Sequence, residues 1–403
     1  MSDGLEQVIA ARTVLSHADG ENGLVWVRGH NISDLVVRHG YEGTVALLWD
    51  GFAGECLTRE WVIAQLGQAR TVAFSRLDEW LPLAAHRPLS EGVRIALAAL
   101  PDDSAPAAIA AALPVAIAAL LRTREGKSPV SPDGALATAA DFLRMISGAP
   151  VEEKFATALD AYLTAVIDNG LGTSTFAARV IISARASLVA AVLGAYGAFT
   201  GSLHGGAPAL ALDMLDAIAA SGDIDCWLDR TLAAGGRLMG FGHRVFRVRD
   251  PRADILRAAL RQLDPQCRRL DVALEVEHRA VAALARHKPG RGLKPISSSM
   301  PHCFSTLSAC RARHSRRCLP SRARQVGLRT PSSSRKPAEW FARAPLTSVA
   351  GPAHKPTLRQ PVAGVLCFLT APRRETTPAT AARVREPAGS SATPRMTCHR
   401  RTG

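Results

Sequence analysis

The sequence lacks strand-like alternation of apolar and polar residues over nearly all of its length, which argues against a Rossmann-type sheet. It lacks an export signal, since Met1–Glu6 offers neither a basic stretch nor an apolar segment. Its longest apolar run, residues 105–121, is mostly alanine and contains Pro106 and Pro114, so we expect a packed helix and no membrane span. Cysteines are few, 8 in 403 residues. We therefore expect a cytoplasmic protein that does not bind membranes.

Charge is divided unevenly along the chain. Residues 1–296 carry 30 Lys and Arg against 32 Asp and Glu, whereas residues 297–403 carry 19 against 3, a net charge of +16. Beyond about residue 296 the chain is rich in Ser, Arg, Pro and Thr without any period. Such a composition predicts a disordered basic tail over residues 296–403.

The part before the tail has a helical pattern almost everywhere, which predicts an all-α fold, either two-layered or a globular bundle. A short hairpin is predicted over Glu21–Gly29. The predicted helical segments are Trp61–Phe74, Glu91–Ala99, Ala107–Arg122, Ala135–Ile146, Val151–Asn169, Ser174–Phe199, Gly206–Ala220, Asp225–Ala234, Arg252–Leu263 and Arg268–Arg286.

Two histidines lie in glycine-rich segments, His204 in G-S-L-H-G-G-A and His243 in G-F-G-H-R-V-F-R-V-R-D-P-R. Glycines let backbone amides and a small ligand approach an imidazole closely. The arginines after His243 suit a substrate with carboxylates or phosphates, although two of them are equally compatible with a solvated surface. Asp250 and Pro251 are typical of a helix cap and first turn, which would place Arg252 at a helix N-terminus. A structural role for either histidine remains the alternative.

These motifs resemble the citrate synthase family over roughly residues 5–295. The similar segments are L-L-W-D-G near Leu47, N-G-L-G-T-S-T-F-A-A-R-V at Asn169–Val180, G-S-L-H-G-G-A at Gly201–Ala207 and L-M-G-F-G-H-R-V-F-R-V-R-D-P-R-A at Leu238–Ala253. The last two are specific motifs. In length, the chain is similar to the shorter bacterial-type members, among them the 2-methylcitrate synthases.

The resemblance implies condensation of acetyl-CoA with oxaloacetate, followed by hydrolysis of the citryl thioester. His204 matches the histidine that stabilises the acetyl-CoA enol, and His243 the histidine that polarises the oxaloacetate carbonyl. Arg252 matches an arginine that binds an oxaloacetate carboxylate. Arg247 lies where members often place a basic residue near the CoA phosphates. A base and an oxyanion partner must act together, because the methyl protons of a thioester are poorly acidic.

The resemblance also implies a domain organisation. A large helical domain would begin over residues 1–206, and a small helical domain would occupy residues 207–295, with the active site in the cleft between them. Family members are homodimers in which the partner supplies an arginine. Acetyl-CoA is a co-substrate, and we expect neither a permanently bound cofactor nor a metal.

Two departures from the family pattern stand out. Members often have a histidine that contacts oxaloacetate at the position of Asn169, and an amide donates a hydrogen bond without carrying charge. The acidic general base normally follows soon after a stretch like Gly292–Pro295, and further carboxylate-binding arginines follow it. None of these appears in the tail.

A shifted reading frame accounts for the missing residues. Codons compatible with Ile296–Ala312, Arg316–Pro331 and Lys336–Val349, read out of frame, permit three family-like segments in the correct order. They contain a glutamate in V-E-Y and arginines in A-R-A-A-G-W and G-R-M-V-R-P. We therefore expect the tail to replace the C-terminal part of the large domain and to impair this chain.

Other interpretations of the tail are less favoured. A nucleic-acid-binding arm would need spaced aromatic residues, so we expect no nucleic-acid partner. The spacing of Cys303, Cys310, His314 and Cys318 fits no common zinc pattern. For the chain as a whole, two alternatives stay open. One is a 2-methylcitrate synthase that uses propionyl-CoA, and the other is a non-catalytic paralogue, for which Asn169 is the hint.

Overall fold

The structure, a computed structural model, describes residues 11–168, 170–201, 204, 207–239, 241, 248 and 250–287. Within these residues the fold is all-α, as predicted. A small antiparallel sheet is formed by β1 (Ser16–Asp19), β2 (Leu24–Val27) and β3 (His30–Asn31), in that order. The helices are α1 (Ile32–Arg38), α2 (Gly40–Trp49), α3 (Arg59–Ser75), α4 (Leu77–Ala84), α5 (Leu89–Ala98), α6 (Pro106–Arg124), α7 (Thr138–Ser147), α8 (Glu153–Ala165), α9 (Thr173–Ser183), α10 (Leu188–Phe199), α11 (Ala207–Ser221), α12 (Ile224–Ala233), α13 (Pro251–Leu263) and α14 (Arg268–His287).

The predicted single helical segment Ser174–Phe199 is wrong, because two helices occupy it. Arg185 adopts a left-handed backbone with φ of 60° and ends the run of α9. Ser187 then caps α10 by accepting a hydrogen bond from the N–H of Ala190 at 3.0 Å. The two helices pack closely, since a Cβ added at Gly194 would lie 2.1 Å from Ile181 Cδ1.

The predicted hairpin is displaced toward the N-terminus. The Asp19 carboxylate accepts hydrogen bonds from the N–H groups of Glu21 and Asn22, at 3.1 and 3.0 Å. This Asx-type turn makes Ser16–Asp19 the first strand, paired with Leu24–Val27. The residues predicted to begin the hairpin therefore form its turn.

Helix α6 is the centre of the larger hydrophobic core. Its residues from Ile109 through Leu121 are all buried, and it packs against α3, α5 and α7. By length and composition alone α6 would also suit a membrane span, yet 67% of its apolar window is buried inside the protein. An alanine-rich helix that is apolar on every side is the expected occupant of such a core.

A buried ion pair joins α3 to α7. Arg70 Nε donates to Asp141 Oδ2 at 2.8 Å, and both side chains are almost fully buried. Arg70 also donates to the carbonyl oxygen of Leu136 at 2.6 Å and to Thr138 Oγ1 at 3.3 Å. Because the guanidinium has partners on several sides, its burial is compensated by hydrogen bonds as well as by charge.

A second, smaller hydrophobic cluster is built from α11, α12 and α14, with Leu215, Leu228 and Val276 among its buried members. Helix α13, in contrast, packs against α8 and α1, and its Leu256 and Leu260 belong to the larger core. The predicted domain limits at residues 206 and 295 stay a prediction. The predicted disordered tail, residues 296–403, lies outside the described residues.

Candidate active site

His204 lies just beyond the C-terminus of α10, in a turn in which its N–H donates to the carbonyl oxygen of Gly201 at 3.0 Å. The imidazole is half-buried and meets the ring of Phe199 edge-on, with ring centroids 5.4 Å apart. Burial lowers the pKa of His204 below its usual 6.5. At neutral pH the ring is therefore an uncharged imidazole.

Ser174 fixes the orientation of that imidazole. Its Oγ lies 2.6 Å from His204 Nε2, and the serine is 2% exposed in the first turn of α9. A neutral imidazole has one donor and one acceptor nitrogen. If the hydroxyl donates to Nε2, Nδ1 carries the proton and can donate to a ligand on the other side of the ring.

The loop before α9 is attached to the N-terminal sheet. Gly170 has φ of 69°, a left-handed conformation that favours glycine, and its N–H donates to Ser16 Oγ at 2.9 Å. Ser16 begins β1, so the hairpin holds the segment that leads into Ser174. The position of the serine thus depends on a contact between residues far apart in the chain.

Arg252 lies in the first turn of α13, next to the residue that caps the helix. As the sequence predicted, Asp250 caps the helix, accepting the N–H of Arg252 at 2.9 Å, and Pro251 is its first residue. The same carboxylate binds the guanidinium, with Arg252 Nε 2.9 Å from Oδ1 and 3.1 Å from Oδ2. Asp250 is 0% exposed and Arg252 is 6% exposed. This arginine is therefore a buried cation with a buried counter-charge.

The structure thus brings Ser174 to His204, and Asp250 to Arg252. The predicted site residues Asn169, His243 and Arg247 lie outside the described residues, so the expected proximity of His204 and His243 stays a prediction. Sequence reasoning missed Ser174 altogether and saw Asp250 only as a cap. A serine in the first turn of a helix is common, and nothing local indicates a partner 30 residues away.

Metal-ligand clusters are not found in the part of the chain that the structure describes: no three His, Cys, Asp or Glu side chains lie together as a metal site requires. Of the described cysteines, Cys56 and Cys226 are exposed and Cys267 is buried, and all three are free thiols. The tail residues weighed above as zinc ligands lie outside this part.

Comparisons with known proteins agree with this helical fold. Residues 4–298 match the family model described as citrate synthase, C-terminal domain. A citrate synthase from Haloferax volcanii is 36% identical over 293 residues, covering 63% of this chain and 72% of that protein. A 2-methylcitrate synthase from Mycobacterium tuberculosis is 33% identical over 277 residues, covering 64% and 69%.

Similarity extends to solved structures. The ternary complex of carboxymethyl coenzyme A and oxaloacetate with citrate synthase from Thermoplasma acidophilum superposes with a TM-score of 0.68. It is 17% identical, and the match covers 92% of this chain and 88% of that one. The chain belongs to the citrate synthase family.

Proposed function

We propose that the protein is an enzyme of the citrate synthase type, which condenses acetyl-CoA with oxaloacetate and releases citrate and CoA. The observation that carries the proposal is the hydrogen bond between Ser174 Oγ and His204 Nε2 at 2.6 Å. It supplies an oriented, neutral imidazole at the position that matches the family's enol-stabilising histidine. Family membership supports the same reaction.

The chemistry asked of His204 is hydrogen-bond donation to the thioester oxygen. When a methyl proton leaves acetyl-CoA, negative charge develops on that oxygen, and a donor placed beforehand stabilises it. The Nδ1–H of a neutral imidazole suits this role, because it donates a hydrogen bond to the thioester oxygen without a charged ring, whose burial would cost free energy. The enol carbon then attacks the oxaloacetate carbonyl. We assign the polarisation of that carbonyl to His243.

Binding of oxaloacetate falls to Arg252 in this proposal. A guanidinium offers paired N–H donors that match the two oxygens of a carboxylate. Arg252 is buried at the N-terminus of α13, so water competes little for its N–H groups. Asn169 would contribute a neutral hydrogen bond to the same substrate, and Arg247 a charge near the CoA phosphates.

We further propose that residues after about 296 are a frameshifted sequence and that this 403-residue chain is weak or inactive. The family match ends at residue 298, close to where the composition changes. The proton acceptor for the methyl group, expected in the region that the tail replaces, is absent from the sequence. General-base catalysis contributes about 10²–10⁴-fold, so its loss would leave little turnover.

One assay, carried out on two chains, tests both proposals. Release of free CoA thiol from acetyl-CoA and oxaloacetate is measured for the 403-residue chain and for a chain with the frame restored after codon 295. We expect turnover only in the restored chain. Activity in the unrestored chain at a typical enzyme rate, about ten per second, would overturn the impairment. Oxaloacetate binding without turnover in the restored chain would support the non-catalytic paralogue.

A second candidate is 2-methylcitrate synthase, favoured by the 33%-identical relative of that name. It would use propionyl-CoA in the same condensation. One methylene changes binding by only about 1–3 kcal/mol, so both substrates should react and their kcat/KM ratio decides. A ratio that favours propionyl-CoA would replace acetyl-CoA as the assigned substrate.

Assembly and location follow the same reasoning. We propose a homodimer that completes each site with an arginine of the partner, and a cytoplasmic location without membrane or nucleic-acid partners. Light scattering of the frame-restored protein measures the assembly directly. A monomer with full activity would contradict the shared site.

A further inference from the structure

The start of α9 and the end of α10 lie at the same end of a helical hairpin. The two helices are consecutive, joined by a short link, and packed so closely that a Cβ added at Gly194 would lie 2.1 Å from Ile181 Cδ1. Neighbouring helices joined in this way run antiparallel. Ser174, in the first turn of α9, and Phe199, the last residue of α10, are therefore brought together around His204.

Both helices of this hairpin hold the His204 imidazole. Ser174 Oγ lies 2.6 Å from Nε2. The Phe199 ring has its centroid 5.4 Å from that of the imidazole, with 76° between the two ring planes. The hydrogen bond fixes where Nε2 lies but leaves the ring plane free to tilt about that atom. The edge-to-face contact, a favourable arrangement for two rings at this distance, fixes the tilt.

Phe199 also keeps water away from one side of the imidazole. Phe199 is 9% exposed, whereas His204 is half-buried and so remains partly accessible. Burial lowers the pKa of His204 below 6.5. A phenyl ring carries no hydrogen-bonding group, so it covers the imidazole without replacing the water that would solvate a charged ring. The same contact therefore favours both one orientation and the neutral form.

From this contact we infer that Phe199 is a positioning residue for His204: it fixes the plane of the imidazole, so that Nδ1–H is presented to the thioester oxygen in one direction. The inference rests on the proposed function. Phe199 touches no substrate in this account and acts only through His204. An imidazole that loses the ring contact would tilt about Nε2, and misplacement by about 1 Å can cost on the order of 100-fold in a reaction.

Phe199→Leu separates the ring contact from apolar packing. A leucine keeps most of the apolar volume at the end of α10 but has no flat ring to set the tilt of His204. If Phe199→Leu does not fold, Phe199→Met replaces it, because a flexible methionine fills irregular space. Phe142→Leu is the matched control. Phe142 is 2% exposed and lies in α7, which packs against α6 and α8, so this variant loses a buried ring elsewhere.

The first experiment needs no substrate and uses the full 403-residue chain. Nitrogen-15 NMR of the His204 imidazole, assigned by its loss in His204→Gln, reports which ring nitrogen carries the proton and the midpoint of its titration. We expect the proton on Nδ1 in the unaltered chain and in Phe142→Leu. In Phe199→Leu we expect a mixture of tautomers and a midpoint closer to 6.5. An unchanged tautomer and midpoint in Phe199→Leu, or equal changes in Phe142→Leu, would overturn the inference.

The second experiment measures turnover of the frame-restored chain with acetyl-CoA and oxaloacetate. Phe199→Leu should lower kcat by about tenfold or more, with little change in KM for oxaloacetate, whose binding is assigned to Arg252. Phe142→Leu should retain kcat. Equal kcat in Phe199→Leu and the unaltered chain would overturn the inference and leave the proposed function intact. If the unaltered restored chain shows no turnover, the proposed function fails, and the NMR measurement alone decides the role of Phe199.

Discussion

Asp160 of α8 accepts the backbone N–H of Tyr41 at the start of α2, at 3.1 and 3.2 Å from its two carboxylate oxygens. Helix α2 has no side-chain cap of its own, so a neighbouring helix provides one. Glu42, the residue after Tyr41 in α2, is fully buried. Its carboxylate accepts a hydrogen bond from the N–H of Thr138, at the start of α7, at 2.6 Å. The buried carboxylate of Glu42 and the half-buried carboxylate of Asp160 therefore lie where α2, α7 and α8 meet.

Asp160→Asn should stabilise the protein at neutral pH. Burial, followed by repulsion from Glu42, raises the pKa of Asp160 to about 6 from 3.8. The folded state then holds the proton more tightly than the unfolded state. Its contribution to stability is full below pH 4 and is lost as the pH rises through 6. The asparagine keeps the acceptor without the charge and should add about 1–3 kcal/mol at pH 7.

The measurement is the free energy of unfolding in urea at several pH values. The gain from Asp160→Asn should shrink as the pH falls from 6 and disappear below 3.8, where the aspartic acid becomes neutral in both the folded and the unfolded state. Glu55→Gln, at an exposed loop position, is the control and should change little. A pH-independent gain, or a loss of stability at pH 7, would contradict the role given to the Asp160 charge.

Gly40→Ala should destabilise the same junction. Gly40 has φ of 63°, and a Cβ there would lie 2.8 Å from Asp160 Oδ2. Gly126→Ala is the control for backbone strain alone, because Gly126 has φ of 70° and nothing within 4 Å of its added Cβ. Thermal unfolding should show Gly40→Ala to be worse than Gly126→Ala by about 1–3 kcal/mol. Equal losses of stability in the two variants would mean that the Asp160 carboxylate moves away from the added Cβ without a cost in free energy.

His204 should titrate below 6.5 in the 403-residue chain, since burial lowers its pKa. Because the folded-state pKa is depressed, protonation favours the unfolded state, and stability falls as the pH drops below 6.5. NMR of the imidazole ring protons against pH measures the midpoint. A midpoint at or above 6.5 would show that the ring is solvated and would remove the neutral donor from the proposed mechanism.

Ser174→Ala should lower kcat of the frame-restored enzyme by about tenfold or more, with less effect on KM for oxaloacetate. The substitution removes the partner of His204 Nε2, so the ring loses its fixed orientation and preferred tautomer. Ser183→Ala, at the exposed end of the same helix, removes only a hydroxyl that donates to the Val180 carbonyl oxygen. Similar rates for the two variants would contradict the positioning role.

Gly67→Ala should be strongly destabilising, because α3 meets the Gly134 loop there without room for a side chain. A Cβ at Gly67 would lie 2.0 Å from the carbonyl oxygen of Gly134. Gly197 lies in α10 with nothing within 4 Å of an added Cβ. Gly197→Ala should therefore gain about 0.5–1 kcal/mol from helix propensity, while Gly67→Ala loses several. Denaturant unfolding of both variants checks the contrast.

Local chemistry predicted several elements well. Asp250 and Pro251 begin α13 as their capping preferences indicate, and the apolar run at residues 105–121 is a buried helix. Periodicity missed α1, α2 and α4, which have 7, 10 and 8 residues. Short helices give few repeats of the apolar pattern, and α2 is buried on most sides, so amphipathic alternation is weak there.

Contacts between distant residues were beyond sequence reasoning. The caps that Asp160 and Glu42 supply join residues 119 and 96 positions apart. Ser174 and His204 were missed as a pair for the same reason, although the motif around each was recognised. Helix propensity and capping act over a few residues, whereas these pairs form only after the helices have packed.

The hydrogen bond from the Gly170 N–H to Ser16 Oγ spans 154 positions. Through this bond, β1 holds the loop that precedes Ser174 in place. Grafting the hairpin from a distant relative would therefore also replace an anchor of the loop that leads into Ser174. A chimaera that contains part of this chain should therefore take β1 and the loop at Gly170 from the same parent protein.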